Sequence, residues 1–137
     1  MGMPQVHRLD AAAREALIAK VAAALSLRSD LSFAYLHGSF LHADGFRDVD
    51  VAVWTQPQAD AFVDVDLAVQ LTRLTGLPVD VRRLNQAPLA FVFHALQGRL
   101  LTVRDEPLLA DLIERTARAY HDQAPLVLRA TREAFAR

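Results

Sequence analysis

Cysteine is absent from these 137 residues, which removes a disulfide framework, a cysteine-based zinc site and a thiol nucleophile. Lysine occurs once, at Lys20, so the 15 basic residues are almost all arginine. Arginine can grip phosphate through two hydrogen bonds, but the same usage follows from GC-rich coding, and the plainer explanation is preferred. Charge of one sign is also missing. The formal net charge is −1, so no global basic field argues for nucleic acid as a partner. No stretch approaches the roughly 18 uninterrupted apolar residues of a membrane span, and the first residues lack a long apolar run behind a basic region. No repeat, low-complexity tract or dividing linker is visible. The expectation is a soluble, cytoplasmic, single domain over residues 1–137, long enough to bury a real core.

What is present gathers on residues 33–54. An apolar run ends in Gly38-Ser39, a short loop follows, and a second apolar run opens with Asp48-Val49-Asp50. Side chains alternate along a strand, so Asp48 and Asp50 share one face while Val49, Val51 and Val53 take the other. Two carboxylates this close raise each other's pKa unless a cation sits between them, and aspartate has poor β propensity. A divalent metal resolves both objections, and magnesium accepts carboxylate oxygens while leaving positions for water and phosphate. Gly38-Ser39 at a strand end lets backbone N–H groups and a hydroxyl approach an anion. The pattern fits a metal-bound polyphosphate; the plainer alternative is a strand-entry pair facing solvent.

In order, the chain predicts an amphipathic helix over 9–27 with Asp10 as N-cap, from Leu9, Ala13, Leu17, Val21 and Leu25 at four-residue spacing. Strands follow at 32–37 and 48–54, with the Gly-Ser loop and a short helix over 38–46. Residues 60–74 read as a helix whose Phe62, Val65, Leu67, Ala68, Val69, Leu71 and Leu74 form one broad apolar surface against the sheet. Gly76 and Pro78 close it. A third strand over 79–84 carries Asp80 and Arg82 on one face. The helical crossover suggests that it runs parallel to the second strand, with Asp80 near the earlier acids. A helix to Leu96, a strand over 99–104, a helix after Asp105 and a last helix through Phe135 complete an α+β fold, a mixed sheet packed with helices.

Gly38-Ser39 followed by Asp48-x-Asp50 resembles the signature of the nucleotidyltransferase superfamily, with its DNA polymerase beta-like fold. The small size resembles the minimal nucleotidyltransferase (MNT) antitoxins paired with HEPN toxins. That family carries a third metal carboxylate on a later strand, and Asp80 in Val79-Asp80-Val81 matches it. Leu84-Asn85-x-Ala87-Pro88, Gly98-Arg99-Leu100-Leu101 and Arg104-Asp105 are similar to what the family shows after that strand, so the resemblance runs over most of the chain from Ala34 onward. The Arg-Gly often seen just after the Gly-Ser step is replaced here by Leu41-His42-Ala43-Asp44-Gly45.

The resemblance implies that Asp48, Asp50 and Asp80 are the catalytic and metal-binding residues and hold Mg2+. It implies that Gly38 and Ser39 bind the β- and γ-phosphates of ATP, and that AMP passes to a tyrosine of a cognate HEPN ribonuclease toxin with release of pyrophosphate. Two alternatives stay open: a catalytically silent antitoxin acting by contact, and transfer to a small molecule such as an aminoglycoside. The apolar residues of about 106–136 suit either a partner interface or packing on the domain. His37 and His42 lie near the proposed site and are read first as hydrogen-bonded bystanders, with contact to phosphate or base as the alternative, and Trp54 and Phe62 are read as core. Base preference, metal number and oligomeric state are left open.

Overall fold

The computed structural model describes residues 5–120. In chain order the elements are β1 (His7–Arg8), α1 (Ala11–Ser26), β2 (Leu31–His37), α2 (Ser39–His42), β3 (Gly45–Phe46), β4 (Val49–Thr55), α3 (Val63–Thr75), β5 (Val79–Arg83), α4 (Leu89–Leu96), β6 (Arg99–Val103) and α5 (Glu106–Ala119). The last predicted helix, through Phe135, lies outside the described residues.

Local chemistry sets the boundaries. The Asp10 carboxylate accepts the Ala13 N–H at 2.7 Å and caps α1, and Asp105 accepts from Leu108 at 3.1 Å to cap α5. Gly76, at φ +73°, ends α3 in the left-handed conformation that glycine adopts without strain.

The main sheet has the order β5-β4-β2-β6. The crossover through α3 leaves β4 and β5 parallel, whereas β2 pairs antiparallel with both β4 and β6. Every residue of β2 is buried, as expected of a central strand covered on both faces. One layer of core packs Val49, Val51, Val53, Val79 and Val81 beneath Ile18, Val21 and Leu25 of α1 and Leu67 and Leu71 of α3. The other packs Phe33, Tyr35 and Ala52 against Val92 and Leu96 of α4 and Leu109 and Ile113 of α5. A separate two-stranded pairing of β1 with β3, which the sequence pattern does not signal, anchors the loop after α2.

One expectation needs correction. Only Val63, Leu67 and Leu71 of α3 are buried, while Phe62, Val65, Val69 and Leu74 are exposed. A period of 3.6 residues turns Val65 and Val69 roughly 160° from Leu67, so one sheet cannot cover the whole apolar set. Among the described residues no helix is long and apolar enough to cross a membrane.

Candidate functional site

Alternation along the strands decides where the acids point. In β4, Val49, Val51 and Val53 face α1 and α3, so Asp50 falls on the α4 face with Ala52; in β5, Val79 and Val81 leave Asp80 and Arg82 on that same face. The registers then align one residue from each of three strands. His37 is the partner of Asp50 across β2 and β4, and Asp50 is the partner of Asp80 across β4 and β5. Asp48 sits one step before β4 and is partly buried.

The electrostatics follow from this crowding. Burial first, and then the neighbouring Asp48 and Asp80 carboxylates, push the Asp50 carboxyl up to about 6, against opposing help from Arg82 and His94. Arg82 Nε donates to Asp80 Oδ2 at 3.2 Å, but both side chains are largely exposed and such a pair contributes little. Among the described residues no three histidine or acidic side chains are gathered in coordinating geometry. The donor set nevertheless fits a hard divalent cation: Asp48, Asp50 and Asp80 offer carboxylate oxygens, and Arg82 and His94 offset their mutual repulsion only in part.

Gly38 joins the loop to this row. Its φ is +85°, and a Cβ there would stand 2.3 Å from Asp50 Oδ2, so both the conformation and the space require glycine. Ser39 follows as the exposed first residue of α2. Arg14, on α1, fixes the far side of the loop. Its guanidinium donates to the Phe40 carbonyl, to Ala43 O at 2.6 Å and to Asp44 O at 2.8 Å, and it lies over the Phe40 and Phe46 rings at 5.5 and 5.4 Å.

Beside the corner is a cavity of about 520 Å³, lined by His37, Gly38, Ser39, His42, His94, Gln97 and Gly98. That volume lies within the range of small-molecule sites. His37 is buried, with the rings of Phe91 and His94 edge-on at 5.5 and 5.7 Å. Its Nε2 has no hydrogen-bond partner among the described residues. Burial, with His94 and Arg82 adding to it, pushes its imidazole down to about 4, and Asp80 opposes the shift.

Sequence reasoning does not single out Arg14, His94 or Gln97. Arg14 reads as one charge on a helix wheel, and His94 and Gln97 lack any metal or catalytic spacing; only the packing of α1 and α4 brings them to the corner.

A mixed sheet carrying a Gly-Ser corner beside paired acids defines a nucleotidyltransferase-type domain. The family model for "Polymerase beta, Nucleotidyltransferase" matches residues 19–107, and the chain belongs to that family. Similar folds occur in solved toxin–antitoxin complexes. A chain from the complex of tri-AMPylated Shewanella oneidensis HEPN toxin with MNT antitoxin is 19% identical with a TM-score of 0.60, over 82% of this chain and 91% of that one. A toxin–antitoxin crystal structure with AMP-PNP gives 20% identity and a TM-score of 0.57, over 85% and 98%. A mutant MntA–HpeT complex gives 23% and 0.60, over 86% and 92%. At these identities the likeness is one of fold. No curated protein matches the sequence.

Proposed function

We propose that this chain is a magnesium-dependent nucleotidyltransferase that moves AMP from ATP onto a tyrosine hydroxyl of a cognate HEPN ribonuclease toxin and thereby silences it. The observation that carries the reading is the register of β4 with β5, which sets Asp50 beside Asp80 while Gly38 closes on Asp50 Oδ2. A complex of similar fold contains a tri-AMPylated HEPN toxin, and another contains AMP-PNP, which supports the donor and the acceptor class.

Asp48, Asp50 and Asp80 would hold Mg2+, which when bound supplies charge neutralisation at the phosphates and at the attacking and leaving oxygens. Gly38 and Ser39 bind the β- and γ-phosphates through backbone N–H groups and the hydroxyl. The tyrosine oxygen attacks the α-phosphorus, the bond from that phosphorus to the bridging oxygen of the β-phosphate breaks, and pyrophosphate leaves. The phenolic proton passes to Asp80, whose side chain is 46% exposed and within reach of an acceptor. Positioning and electrostatics account for the rate, with no covalent enzyme intermediate.

The test is incubation of the purified chain with α-labelled ATP, magnesium and the HEPN protein encoded beside it. Label on the toxin, lost with Asp48→Asn or Asp50→Asn, is the expected result. Neutralisation that survives both substitutions without any label would mean that contact alone silences the toxin.

A further inference from the structure

The cavity beside the Gly-Ser corner contains an unusual set of cation-forming side chains. Among the described residues its lining has no lysine and no arginine, and histidines are the groups there able to carry positive charge. A triphosphate carries several negative charges, of which a metal held by carboxylates meets only part. The remainder falls to donors on the cavity walls.

His37 is not available for that work. It is buried, its Nε2 is closed off from solvent, and burial keeps it neutral at physiological pH. His42 and His94 differ in being exposed, and they stand on separate elements, the end of α2 and the last turn of α4. His94 lies edge-on to His37 at 5.7 Å, and His37 is the partner of Asp50 across β2 and β4, so His94 stands close to the acid row. Gln97, three residues after His94, adds an amide to the same lining.

We propose that His42, from α2, and His94, from α4, clasp the β- and γ-phosphates of the nucleoside triphosphate in this cavity, doing here what lysine or arginine would do elsewhere. The inference rests on the nucleotidyltransferase reading above and adds to it the residues that tell a triphosphate from a monophosphate. Imidazole N–H groups donate to phosphate oxygens, and the Gln97 amide supports the same end of the chain. The α-phosphate stays at the carboxylate end, where a monophosphate would also sit.

Calorimetric titration of the purified chain with ATP and with AMP, each with magnesium and without toxin, tests it. Wild type is expected to bind ATP more tightly than AMP. His42→Ala and His94→Ala should each weaken ATP by about 10-fold, the loss of one charge-assisted hydrogen bond, and leave AMP nearly unchanged. His94→Gln, which keeps a donor, should recover part of the loss. Both positions are exposed, so melting curves should show the variants folded. ATP affinity unchanged in both variants, with wild type binding ATP, would overturn the clasp and leave the nucleotidyltransferase reading standing. Equal losses for ATP and AMP would also overturn it, by placing the histidines on the nucleoside. Wild type that binds neither nucleotide would remove both proposals together.

Discussion

Replacing Asp50 with asparagine should make the metal-free protein more stable at alkaline pH and leave it unchanged in acid. Burial, with Asp48 and Asp80 beside it, raises the Asp50 carboxyl from 3.8 to about 6. A raised carboxyl means that the folded state holds a proton which the unfolded state has released. Stability is therefore complete below the unfolded value and falls as pH rises through about 6. A two-unit shift converts to about 3 kcal/mol at full strength, which solvent around a half-exposed carboxyl reduces to about 1 kcal/mol. Asparagine keeps the shape and removes the charge. In EDTA the variant should melt about 3–5 °C above wild type at pH 8, with the gap closing by pH 4. Magnesium with ATP should reverse the order, because wild type gains binding energy that the variant lacks. A variant that melts lower than wild type at pH 8 in EDTA, or by the same amount at every pH, would show that attractive contacts hold this carboxylate and that crowding does not.

The two left-handed glycines should respond differently to alanine. Among the described residues nothing lies within 4 Å of a new Cβ at Gly76, and Gly76→Ala should lose about 1 kcal/mol in urea unfolding, whereas Gly38→Ala adds the clash with Asp50 Oδ2. In an Asp50→Gly background Gly38→Ala should lose that extra cost; equal costs at both glycines in the wild-type background would remove the steric argument. Arg14→Lys should cost about 2 kcal/mol and speed proteolysis within residues 38–46, since one ammonium cannot serve the carbonyls of Phe40, Ala43 and Asp44 together. His37 has the opposite pH sign to Asp50. Its folded value of about 4 lies below the ordinary 6.5, so its contribution is present above 6.5 and lost as pH falls toward 4. His37→Phe should therefore remove on the order of 2 kcal/mol of acid sensitivity, and NMR titration of the wild-type imidazole should show it neutral at pH 5.5.

Much of this fold is legible because its signals are local. Asp10, Gly76 and Asp105 set helix boundaries through hydrogen bonds or dihedral angles that span a few residues. The valines around Asp50 and Asp80 alternate strictly, and a helical crossover predicts parallel strands, so the placing of Asp80 beside Asp50 on one face can be reasoned without coordinates. The features that escape depend on distant packing. The β1–β3 pairing joins residues nearly forty positions apart through two-residue strands too short to show periodicity. The apolar count of residues 60–74 does not say which third of α3 meets the sheet, and Val65 and Val69 are left exposed. Arg14, His94 and Gln97 acquire meaning only when α1 and α4 reach the Gly-Ser corner.

The central claim is that three carboxylates on neighbouring strands share one divalent cation at a triphosphate. Mn2+ binding, followed by electron paramagnetic resonance with and without ATP, measures this directly. Wild type should take up Mn2+ more tightly with ATP present, and Asp48→Asn, Asp50→Asn and Asp80→Asn should each weaken that uptake by at least about 10-fold. Uptake equal to wild type in the Asp50→Asn and Asp80→Asn variants would contradict the account.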